Sequence, residues 1–361
     1  MNAQRLETSR LLHRFGFGPR PGEFAQALQD GVAATRTKVL TVPAVDAGAA
    51  TVVEPEITDL GPRPKPNTKE IVPFAIAMRY QTQQMLVWWL DRMAASDHGL
   101  TERMTWFWHG HWATSVEKLN YPLPLFKQNK TLRATCLGNF ATMTKAMIND
   151  GALQFWLDGQ DNTVKAPNEN LGRELMELFT LGVGRYTEDD VKNISRTLTG
   201  YQVARSSGTV TINQNRRDKN PVNLLGTTAV FTGDSLADFL VARDDSAKFV
   251  AERLWYRFIS STEDMPANFI AQSAFGNRDI SAAVAAMASD PAMRDEKYAM
   301  VKSPVEWLIS ACRALELTPS ALKTPAQMIN FLEKLGQVPF SPPNVGGWPA
   351  GEAWLSSATA Q

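Results

Sequence analysis

The chain reads as mainly α-helical, a large single helical domain over 1–361 with a small β-ribbon insertion and an irregular Pro/Gly-rich arm and tail. Three observations lead there. Apolar residues recur at helical spacing along most of the 361 residues. Alternating, strand-like patterning is confined to a short stretch, 205–233. The breaks between periodic segments carry helix-ending Gly and Pro and helix-starting Ser, Thr, Asp and Asn.

A first helix covers 5–15 and ends at Gly16-Phe17-Gly18-Pro19. Gly16-Phe17-Gly18 resembles a piece of a phosphate loop but lacks its strand–turn–helix context. A second helix is expected from Pro21 to about Lys38, with proline in its first turn. Residues 42–67 have no period and are rich in Pro, Gly, Ala and Val, an irregular surface arm. Thr68 to Ala95 is a long helix with Met78, Met85, Trp88, Trp89 and Met93 on or near its buried stripe. The next helix, 101–119, holds the Trp106-Phe107-Trp108-His109-Gly110-His111-Trp112 run, and another is expected over 130–149. Residues 168–181 and 188–199 are sharply amphipathic; Thr187 with Asp190 imitates a capping box, and Gly200 closes the end. In 205–233, SGTVTI and TTAVF read as two strands of one ribbon around the polar loop NQNRRDKN. Helices resume at 235–258, 278–289, 301–315 and 325–335, before a Pro/Gly/Trp coil ending near 357.

The bulk numbers narrow the function classes. The 37 basic and 37 acidic residues balance, leaving no electrostatic footprint for nucleic acid or an anionic membrane. No apolar run reaches the roughly 20 residues of a membrane span. Cys136 and Cys312 allow at most one disulfide and form no metal-type pair. The start as written has no apolar signal core, which reads as cytoplasmic, or as exported with a signal segment removed.

Chemistry concentrates in 100–200. On a straight helix residues two apart point about 200° from each other, so His109 and His111 face opposite sides and cannot chelate one ion together. Both faces are apolar, which buries the helix nearly all round. In 168–181, Leu171, Leu175, Leu178 and Phe179 form the buried face. Glu169, Arg173 and Glu177 form an i, i+4, i+8 ladder opposite. Glu174 sits at the stripe's edge, where a carboxylate is either desolvated with a raised pKa or held by a cation. Packing these two helices together would assemble a His/Glu site.

Two readings follow. In the first, the chain is an enzyme or metalloprotein, with His111 and Glu174 as catalytic groups and His109, His111, Glu174, Glu177 and Asn170 around a divalent metal ion. In the second, those residues are a satisfied polar core. The arm, the ribbon and the tail with Trp348 and Trp354 then capture a protein partner. Whether the chain is an enzyme stays open between them.

The segments RLLHRFGFGPRPGE, TWFWHGHWATS, PNENLGRELMELFTLGVGRYTEDDVKNISRTLTGY, VKSPVEWL and PPNVGGWPAGEAWLSS stand in one order across nearly the whole chain. They resemble the bacterial family catalogued as domain of unknown function 1800. The resemblance implies a Trp-His-Asn-His pattern in which His109 and His111 match and Gly110 departs. It also implies a His-Asp pair near NQNRRDKN, where only Asp218 remains.

Overall fold

The computed structural model describes residues 3–273 and 275–355. The architecture is mainly α, with two small antiparallel hairpins and no larger sheet among the described residues. Among the described residues, no helix is long and apolar enough to cross a membrane.

Two hydrophobic clusters form the interior. One gathers Met104, Phe107, Trp108, Phe140, Phe179, Leu254 and Phe258. The other gathers Met85, Trp89, Trp106, Ile309, Phe340 and Trp348. The helix Leu100–His111 supplies side chains to both and is buried at nearly every position. Its aromatic positions keep it from water, and its charged members, Glu102 and Arg103, are paired inside.

Glu102 fixes that helix from within. Its carboxylate accepts from Arg92 Nε (2.6 Å), Arg133 Nε (2.7 Å) and Nη2 (2.9 Å), and Trp89 Nε1 (2.9 Å). Burial pushes this carboxyl's pKa up, but the two guanidiniums outweigh it and hold the pKa below its ordinary value.

Several expected helices are divided. The second breaks into Glu23–Asp30 and Val32–Leu40 at Gly31, whose φ of 85° is cheap only for glycine. The histidine helix stops at His111, and Ser115 caps a separate turn, Val116–Leu119. In place of 130–149 stand Pro122–Thr135 and Phe140–Ile148, the latter capped by Asn139. The stretch 235–258 divides at Arg243 into Gly233–Ala242 and Asp244–Phe258. There Arg278 donates to the carbonyls of Val241, Ala242 and Arg243, a helix stop supplied from 35 or more residues away.

The expected single ribbon is two hairpins. TVTI pairs back onto Tyr201–Ala204, and Val222–Leu224 pairs with Thr227–Ala229. The second turn places Leu225 and Gly226 at φ 50° and 82°, the two-residue hairpin geometry that matches strand twist. The loop NQNRRDKN joins the hairpins and is the tip of neither.

The arm is anchored to the body. Asp46 accepts from Ser96 Oγ (2.6 Å) and from the backbone N–H groups of Asp97 (2.9 Å) and His98 (2.8 Å), and Ala49 is buried. Trp348 and Trp354 of the tail are buried too, so they anchor a coil and offer no exposed stacking face. The end of the expected tail, 356–361, lies outside the described residues. Cys136 and Cys312 are free, buried thiols, which removes the disulfide alternative.

Candidate functional site

His109 and His111 leave their helix on opposite sides, as the spacing requires. His109 is enclosed by the rings of Trp89, Trp106, Phe340 and Trp348, with centroids 5.1 to 5.9 Å away. Its Nε2 accepts the backbone N–H of Phe340 at 3.0 Å. Burial pushes its pKa down to about 3, so it stays a neutral acceptor that ties the tail to the core.

His111 meets the acidic helix, which changes character there. Asn170–Glu174 is α-helical and Leu175–Thr180 is a π-turn, with Leu181 N bonding Met176 O. The carbonyl of Phe179, near the end of that turn, lies 3.0 Å from His111 Nε2. A carbonyl only accepts, so Nε2 carries the proton and Nδ1 keeps its lone pair. That Nδ1 is buried and has no partner among the described residues. Burial, then the nearby Arg253 charge, hold the imidazole's pKa well below its ordinary value.

A cavity of about 30 Å³ adjoins His111, widening to about 390 Å³ when the solvent at its mouth is counted. Arg103, Arg253, Arg257, Glu306 and Trp348 line it with His111. Arg103 is paired with Glu306 at 2.6 Å. Arg257 donates to the carbonyls of Trp348 and Pro349. Burial, then its neighbour Arg253, push Arg257 down to about 10. Burial also lowers Arg253, which has no ion pair among the described residues. The lining therefore carries two guanidiniums without a carboxylate of their own. It contains no Ser, Thr, Cys, Lys or Tyr that could act as a nucleophile.

The remaining expected site residues stand elsewhere. Asn170 is exposed and donates to Asp158 Oδ2 at 3.1 Å. Glu177 accepts from the Tyr186 hydroxyl, not from Arg173, because the π-turn rotates it off the α-helical register. Arg173 instead grips Glu188 through both terminal nitrogens (2.9 and 2.8 Å) and reaches Glu169 at 3.3 Å. Glu174 is half-buried with its pKa raised, first by burial and then by Glu177. None of these carboxylates is a bonding partner of either histidine, and no group of three or more His, Cys, Asp or Glu among the described residues is placed to hold a metal ion. The expected donor set is thus not assembled for a cation. Asp218 is engaged by Arg196 at 2.8 Å and by Asn220 N at 2.9 Å.

At Gly110 an added Cβ would meet only Trp348, at 3.9 Å. Packing does not demand glycine there. The arginines of the cavity were missed by sequence reasoning. Their one local signal is the i, i+4 pair Arg253 and Arg257 flanking Trp255, indistinguishable by pattern from an ordinary solvated face.

Fold and site together define a class: a mainly helical protein whose central helix meets a π-turn on one side and a cation-rich cavity on the other. The chain belongs to the family described as Protein of unknown function (DUF1800), which matches over residues 10–361. No curated protein and no solved structure matches it.

Proposed function

We propose that this chain is a ligand-binding protein that captures a small anion in the cavity beside His111. One observation carries the reading: Arg253 and Arg257 line a confined space without a carboxylate partner, together with His111, whose Nδ1 has no partner among the described residues. Charges removed from water are costly unless paired, and a bound anion would supply that pairing to both guanidiniums. The same charges work against a divalent cation at His111. The lining residues bind and orient charge, and no reaction is assigned to them.

Thermal unfolding at constant ionic strength, with formate, acetate, nitrate and sulfate each titrated in, tests the proposal. A ligand that binds only the folded state stabilises it by about 2.7 kcal/mol at a hundred times its Kd. A saturable rise in Tm with at least one anion, abolished by Arg253→Gln, is the expected result. Indifference to the whole panel would overturn the reading.

A further inference from the structure

We infer that the anion is a small α-hydroxy carboxylate, with its carboxylate toward Arg253 and Arg257 and its hydroxyl donating to His111 Nδ1. This rests on the anion-binding reading and adds the chemical class. The cavity makes two complementary demands. Arg253 has no ion pair among the described residues and Arg257 donates only to two backbone carbonyls, so both keep N–H groups for a planar carboxylate. His111 makes the opposite demand. Its Nε2 is committed to the Phe179 carbonyl, so Nδ1 can only accept, and its partner must be an O–H or N–H. Simple carboxylates, nitrate and sulfate carry no such donor.

Charge decides between the two common donors found next to a carboxylate. An α-ammonium group would bring a positive charge beside Arg253 and Arg257, and the one carboxylate of the lining, Glu306, is already paired with Arg103. An α-hydroxyl donates without charge. Size restricts the rest of the molecule. The enclosed part of the cavity is small and opens to solvent at its mouth, so the hydroxy-acid head enters and any side chain stays outside.

Titration calorimetry on the whole chain would compare glycolate with acetate, lactate with propionate, and lactate with alanine. Glycolate and lactate are expected to bind about tenfold more tightly than their deoxy partners, the worth of one hydrogen bond. Alanine should bind more weakly than lactate. His111→Phe should erase the hydroxyl preference while leaving acetate affinity within about threefold, and Arg253→Gln should weaken every acid alike. The wild-type comparisons stand without any variant, so a misfolded His111→Phe protein leaves the test intact. If acetate binds as well as glycolate, the α-hydroxy assignment falls and anion binding survives. If no acid binds, the anion reading itself fails and takes this inference with it.

Discussion

Asp150 offers a test with a defined sign. It caps the helix Gly151–Trp156, and its Oδ1 accepts from Leu153 N (2.8 Å) and Gln128 Nε2 (2.7 Å). Gln128 also donates to Thr114, just past the histidine helix. Burial pushes the Asp150 carboxyl up to about 6 from 3.8, only partly offset by those hydrogen bonds. The folded state therefore holds a proton that the unfolded chain releases near pH 4. Stability falls as pH rises from about 4 to about 6, and the loss is complete above that window. Two pH units correspond to roughly 3 kcal/mol. Asp150→Asn removes the charge and keeps the capping oxygen, since Asn caps as well as Asp. It also forfeits a helix-dipole interaction of about 0.3–1 kcal/mol. The variant is expected to be more stable than wild type by about 1–3 kcal/mol at pH 8 and equal to it near pH 4. Urea unfolding at a series of pH values measures the difference. A variant less stable at pH 8, or a difference that ignores pH, would refute the reasoning.

Three further outcomes follow from the packing. Glu102→Leu strips the shared carboxylate from Arg92 and Arg133 and should cost about 3–5 kcal/mol in equilibrium unfolding. A loss below about 1 kcal/mol would mean that the guanidiniums find other partners. Gly347→Ala places a Cβ 2.2 Å from the Gly110 carbonyl oxygen at a φ of 81°, so Tm should fall by the equivalent of more than about 1 kcal/mol. Cys136 and Cys312, raised by burial to about 12 and 11, should ignore a thiol reagent at pH 8 in the native state. Both should react after denaturation, and a chain showing no free thiol then would contradict the separate, unbridged cysteines.

Where a feature depended on neighbours in sequence, residues alone were enough to read it. The helical class, the capping box at Thr187 and Asp190, the burial of the histidine helix and the divergence of its two imidazoles all follow from spacing within a turn or two. Glu174's place at the edge of an apolar stripe was legible too, but not which of the two outcomes open there, desolvation or a bound cation, applies. The breaks at Arg243 and the paired hairpins were not. The first depends on Arg278 arriving from a distant turn, and the second on which of two equally plausible partners each strand takes.

The candidate site divides along the same line. Spacing alone puts His111 in an apolar interior and denies it His109 as a co-ligand. Only tertiary packing decides that its Nε2 meets a π-turn carbonyl, that Nδ1 has no partner among the described residues, and that His111 shares a cavity with arginines more than 140 positions later in the chain. An imidazole's proton sits where its partner dictates, and partners from distant segments are set by how layers pack, which no local pattern encodes.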